Sequence, residues 1–327
     1  MLTTNGFVND GFLDDELVTA RAILNGEDES LSAERYLPWL YTQDSEIEIF
    51  KDERTWIKSN PMLGEIKRID YLRREVDKAK RSTADRVFVL CKDFNIKQSF
   101  ASKWLMKEDY DYDCPFELED FRGKLALGAV DLSFTTDLTC AKVMFMKPDS
   151  QDKYIHSMYF IPEEKYNNAK EDTGADYKQW VRDGFVRICP GNDVDLQMVA
   201  DWFAELYRDY QIRIYRIGYD NRFAKQFVNA VEDYGFEVEM ILQNGPTMSN
   251  ANRLLESDIK SQRVVYNDNP VDRWCLGNTT IKITDDMGNF VLAKTNNPMM
   301  RIDGAVTKAI LYETFRRFRT DFVRNVK

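Results

Sequence analysis

The chain has 327 residues, more than one typical domain, so two units or one large α/β domain with an appendage are expected. No apolar run reaches about 18 residues, and the N-terminus has neither a basic start nor an apolar segment behind it, which predicts a soluble protein without secretion signal or membrane span. Five scattered cysteines without CxxC spacing speak against a disulfide framework and a zinc site, and a single histidine against catalytic triads and most transition-metal centres. The net charge of −10 is unevenly placed: residues 1–120 hold 26 acidic and 17 basic side chains, whereas residues 121–327 hold 29 and 28. The acidity is mostly N-terminal, and seven Lys/Arg against three Asp/Glu in residues 301–327 give the last segment a basic character that suits phosphates or simply a solvated helix end.

In chain order, residues 13–25 and 69–82 read as helices, the second with mixed charges on an exposed face. Between them stand Trp39, Tyr41, Trp56 and the turn at Asn60-Pro61. From Phe116 the pattern changes. Strand candidates at 125–132, 139–147 and 154–161 follow one another through short turns, as an antiparallel meander does; His156 falls on the third as an ordinary strand residue. Then come a helix over 195–210, a strand over 212–219, a helix over 222–234 and a strand over 236–242. A helix over 248–260, opened by Thr247 and Ser249, precedes a short strand around 263–267. Asp286–Asn289 reads as a hairpin turn between 279–284 and 290–294, and a last helix spans about 303–320, with Val306, Ile310 and Phe318 near helical spacing. Three antiparallel strands followed by helix, strand, helix, strand is the element order of the ribonuclease H-like α/β fold, a mixed central sheet flanked by helices. The predicted division is a mainly helical unit over 1–115 and that fold over 116–327.

Four aspartates carry the chemistry. Asp131 ends the apolar run Leu127-Gly128-Ala129-Val130, Asp137 follows six residues on, Asp220 closes the apolar run from Ile212, and Asp303 opens the last helix. Each has a plain structural reading: Asp303 as a helix cap, Asp220 as a strand-to-helix turn, Asp137 as a hairpin-turn residue. Asp131 does not fit one, because aspartate is depleted in strands and costly to bury beside Ala129 and Val130 without a partner. Carboxylates at the ends of adjacent parallel strands, joined by one at a helix start, converge on one pocket in an open α/β sheet, where a hard divalent cation offsets their repulsion.

The blocks DLSFTTDLT, GYDNRFAKQF, QNGPTMSNANRLLESDIKSQRVVYNDNPVDRWCLGN and AKTNNPMMRIDGAVTKAI, in this order and at these intervals, resemble the nuclease half of the large terminase subunit of tailed bacteriophages. Upstream, Leu2-Thr3-Thr4-Asn5-Gly6 is similar to the Thr-rich segment that couples ATP hydrolysis to motion in the terminase motor, and Trp56–Gly64 to the stretch after it. No GxxxxGK[ST] occurs, so no ATP site is expected in this chain, which resembles the tail of the motor domain joined to a nuclease domain.

The resemblance implies a metal-dependent endonuclease that cuts concatemeric double-stranded DNA in the host cytoplasm, with the small terminase subunit and the portal protein as partners. Asp131, Asp220 and Asp303 would hold one or two Mg²⁺ or Mn²⁺ ions, with Asp137 a further ligand, and Lys294 would contact a phosphate. Two other readings stand beside it: a non-catalytic module binding DNA or portal, and another ribonuclease H-like nuclease such as a resolvase or transposase.

Overall fold

A computed structural model describes residues 12–27, 35–96, 103–133, 138–168, 172, 174–220, 224–295, 297 and 299–326. The Leu2–Gly6 segment, Asp137 and the start of the helix expected from residue 222 lie outside the described residues. The chain forms two compact units, Met1–Ser102 and Lys103–Lys327. The boundary thus falls ahead of the expected residue 115, because the intervening stretch bonds into the second unit. Tyr112 donates its hydroxyl to the Val264 carbonyl (2.7 Å), and the Cys114 and Phe116 amides donate to Asp268 and Asn267.

The first unit is helical: α1 (Phe12–Leu24), α2 (Glu46–Lys51), α3 (Ile69–Ala79) and α4 (Thr83–Lys92). Leu72, Val76 and Ala79 recur at helical spacing on α3 and are buried with Val89 and Leu90 of α4 around Trp56, whose indole donates to the Ile49 carbonyl (2.9 Å). The sequence reading had no helix at α4. Its start is set by Ser82, whose hydroxyl accepts the Asp85 amide.

The second unit opens with α5 (Lys107–Tyr110) and three strands, β1 (Leu125–Asp131), β2 (Thr139–Phe145) and β3 (Lys153–Pro162), paired antiparallel as expected. Two short helices, α6 (Glu163–Asn167) and α7 (Tyr177–Arg182), lead to β4 (Val186–Cys189). After α8 (Leu196–Tyr210) comes β5 (Arg213–Tyr219), then α9 (Ala224–Asp233) and β6 (Val238–Met240). Next are α10 (Gly245–Lys260), β7 (Val264–Val265), α11 (Pro270–Gly277), the hairpin β8 (Thr279–Ile283) and β9 (Phe290–Lys294), and α12 (Asp303–Asn325). β4 makes β5 the fifth strand in the chain, where the sequence suggested the fourth. The sheet runs β4-β3-β2-β1-β5-β6, with β7 on the free end of β3; β5 lies parallel to β1. This is the ribonuclease H-like arrangement.

Each face of the sheet has its own cover. Val130, Ala141, Val143 and Phe160 point to one side, into an apolar core with Trp202 and Phe203 of α8 and Phe227 of α9. On the other side α12 lies across β1, β2 and β5. It comes so close that a Cβ on Gly218 would sit 2.0 Å from the Thr314 hydroxyl, so only glycine fits there.

The lone histidine faces the apolar core. His156, half-buried, stacks on Trp202 at 5.8 Å, and burial, with Lys142 and Arg187 adding to it, pushes its imidazole down to about 4. The folded chain therefore refuses a proton that the unfolded chain accepts below the ordinary value near 6.5, so stability is lost as pH falls from there towards 4. Between about pH 7.5 and about pH 5 the native chain is expected to lose on the order of 2 kcal/mol more than a His156→Phe variant. Urea unfolding of both proteins at the two pH values checks this; equal losses would show that His156 does not report its burial.

Candidate active site

β1 and β5 are in parallel register with Val130 opposite Tyr219, so the next residues, Asp131 and Asp220, leave the carboxyl ends of neighbouring strands side by side. Strands stand roughly 4.8 Å apart, within the range of two carboxylates sharing a cation. Both aspartates are half-buried. Across β2, Asp131 pairs with Cys140, and Cys140 with Tyr159 of β3. Cys140 is hydrogen bonded to Thr307 of α12, which puts this rung on the α12 side of the sheet; burial pushes its thiol up to about 11.

Asp303 is buried and is the first helical residue of α12, after Ile302 at the cap position. Thr307, one turn on, donates to the Asp303 carbonyl (2.7 Å) and bonds Cys140, the cross-strand neighbour of Asp131. Asp131 and Asp303 are thus linked through Cys140 and Thr307 on the α12 side of the sheet, and Asp220 follows the strand beside Asp131. They are not drawn into a tight cluster: among the described residues no group of three His, Cys, Asp or Glu stands close enough to hold a metal ion. Three like charges repel, and what fits the all-oxygen set is a hard cation such as Mg²⁺ or Mn²⁺. Asp137 lies outside the described residues. Lys294 is half-buried at the end of β9, opposite Thr279.

Behind the aspartates lies a charge cluster that the sequence reading did not single out. Asp272 of α11 has no solvent exposure and takes Lys142 of β2 at 2.5 Å and Lys308 of α12 at 2.6 Å, both equally buried. Tyr159 and Ser157 also donate to it. Burial alone would raise this carboxyl, but the two ammonium groups hold it well below the usual carboxylate range. Burial pulls Lys308 down to about 8. A second buried group lies next to Asp303: Arg301 and Lys165 both bind Asp172, at 2.8 and 3.1 Å, and Tyr177 donates to it. The one visible signal was a lysine inside each of two apolar runs, Cys140-Ala-Lys-Val143 and Val306-Thr-Lys-Ala-Ile310.

Residues 30–319 match the model of the terminase large subunit, endonuclease domain. The chain belongs to this family. It is 25% identical to protein YmfN of Escherichia coli (strain K12) over 330 residues, 95% of this chain and 70% of that protein. It is 26% identical to the terminase large subunit of Enterobacteria phage HK97, covering 82% of this chain and 52% of the subunit. The crystal structure of the HK97 large terminase superposes with a TM-score of 0.57 at 23% identity, over 91% of this chain and 60% of that one. The chain thus spans about half the length of the HK97 subunit. A terminase nuclease domain replaces the resolvase and transposase readings.

In this terminase nuclease domain the buried ions make a stability test. Asp272→Ala leaves Lys142 and Lys308 buried without their counter-charge and is expected to cost about 3–5 kcal/mol. Glu53→Ala, which breaks a solvent-exposed pair with Arg73, should cost far less. Urea unfolding decides between them; similar costs would mean that the Asp272 cluster is not a structural ion group.

Proposed function

We propose that this chain is a divalent-metal-dependent endodeoxyribonuclease of phage genome packaging, hydrolysing phosphodiester bonds of concatemeric double-stranded DNA. The observation that carries the reading is the register that sets Asp131 and Asp220 side by side, beneath the helix that begins with Asp303. Family membership supports it. Asp131, Asp220 and Asp303 would hold one or two Mg²⁺ or Mn²⁺ ions, with Asp137 as a further ligand on the β1–β2 connection. Bound there, such ions supply activation of a water nucleophile and charge neutralisation at the leaving 3′ oxygen. No protein nucleophile is then required.

The aspartates differ in how they are held. Asp131 is held by its pairing with Cys140 of β2, Asp220 follows the parallel ladder that ends at Tyr219, and Asp303 opens a helix packed across the sheet. Lys294 would hold a phosphate of the duplex, whose recognition rests on backbone charge more than on base edges. The small terminase subunit and the portal protein are the partners this reading assigns, and the host cytoplasm is its setting. Among the described residues no helix is long and apolar enough to cross a membrane.

Plasmid DNA should be cut by the purified chain with Mn²⁺ or Mg²⁺, without ATP, and spared in excess EDTA. Asp131→Ala, Asp220→Ala and Asp303→Ala should each lower the rate on the order of 10³-fold. Asp137→Ala should be milder and recover as Mn²⁺ is raised. Cleavage that survives the chelator would sink the metal mechanism, and an Asp137→Ala variant dead at every Mn²⁺ concentration would place that residue among the indispensable ligands.

A further inference from the structure

Three contacts join α11 to the entrance of α12. Asn278, the residue that ends α11, donates its side-chain amide to the Arg301 carbonyl at 3.2 Å. The Gly304 backbone amide bonds the buried Cys275 sulfur. Asp272 pairs with Lys308 and lies directly under Gly304, where a Cβ would come within 3.1 Å of its carboxylate oxygen and 2.1 Å of the Tyr159 hydroxyl. Gly304 has ordinary helical backbone, so it is space and not dihedral freedom that demands glycine. Glycine otherwise weakens a helix.

Tyr159 ties this seat to the aspartates. It stands on one rung of the sheet with Cys140 and Asp131, and the preceding residue of β1, Val130, pairs with Tyr219 of β5, which Asp220 follows. The surface that receives Gly304 and the strand that ends in Asp131 are thus parts of a single hydrogen-bonded ladder.

We infer that α11 and Tyr159 form a seat for the first turn of α12, with Asp272 and Gly304 as positioning residues that set where the Asp303 carboxylate stands relative to Asp131 and Asp220. The inference rests on the reading of those three aspartates as the metal-holding set. Asp272 acts through the helix it seats and touches no substrate.

The test compares Gly304→Ala, Tyr159→Phe and the double variant. Gly304→Ala should weaken Mn²⁺ binding, measured by calorimetric titration, about 10-fold or more, the scale of losing a group that orients a ligand. Its cleavage should fall at low Mn²⁺ and recover at saturating Mn²⁺. Tyr159→Phe alone should cost less affinity than Gly304→Ala, because it takes one hydroxyl from Asp272 and adds no bulk. In the double variant the 2.1 Å clash is gone and the next contacts are 3.1 Å, so most of the affinity should return. Amide exchange over residues 303–307 gives a readout independent of metal and activity: it should accelerate in Gly304→Ala and slow again in the double variant. Asn278→Ala, which removes the hydrogen bond to the Arg301 carbonyl and adds no bulk to the seat, covers the case in which Gly304→Ala does not fold, with an expected loss in Mn²⁺ affinity. Native Mn²⁺ affinity and native exchange in Gly304→Ala, or in Asn278→Ala where that variant stands in, would overturn the seat. A native chain that binds no Mn²⁺ would overturn the reading of the aspartates, and the exchange comparison would still judge the seat.

Discussion

A carboxylate without solvent contact survives in a core only if cations and hydrogen bonds replace the water it gave up, and Asp272 has a full set: two lysines, a tyrosine and a serine. Its partners come from β2, β3 and α12, so the pairing fixes three elements against α11 at one point. Replacing such a group by apolar side chains is often neutral for stability, while removing one partner is severe. What the ion cluster adds is therefore definition of place. An apolar contact tolerates sliding by a fraction of a side chain; a carboxylate gripped from three elements does not.

The two faces of the sheet divide the work accordingly. The side covered by α8 and α9 is an apolar core of aliphatic and aromatic side chains, and it supplies most of the hydrophobic stabilisation. The side covered by α12 carries Cys140, Lys142, Ser157 and Tyr159 in cross-strand order, and further along Lys153, which pairs with Asp258 of α10 at 2.8 Å while Tyr312 of α12 donates to the same carboxylate. α12 is thus anchored to buried carboxylates at two heights, through Lys308 and through Tyr312. Gly218 lets the helix press against β5 at Ile310 and Thr314.

Much of this was legible in the chain because it is local. The apolar run ending in Asp131, the meander, the parallel strand ending before Asp220 and the last helix all follow from periodicity and punctuation, with ends displaced by a few residues. α10 starts earlier than expected because Asn244, not Thr247 or Ser249, caps it, and Pro246 suits the first turn. β4 escaped because four residues are too few to show alternation, and α11 because it is only eight residues long and opens on the pair Asn269-Pro270. The buried ions were illegible for a different reason. Lys142 and Asp272 are 130 residues apart, and nothing in either neighbourhood says that the two meet. A lysine inside an apolar strand signals a buried partner, but not which one.

The same distinction separates the parts of the candidate site. Asp131 and Asp220 owe their proximity to strand pairing, which a sequence pattern implies once the strands are recognised. Asp303 has no such guarantee. A helix start can slide or tilt over a sheet by more than the tolerance of a shared cation, so its place has to come from contacts at its own first turn. Those contacts are with α11, an element the periodicity did not show, and with Tyr159, which looked like one more aromatic in a strand. A candidate metal-holding set read from sequence therefore names its carboxylates well before it names what holds their elements in place, and in this chain the second group, Asp272 with Lys142 and Lys308, is fully buried where Asp131 and Asp220 are half-buried.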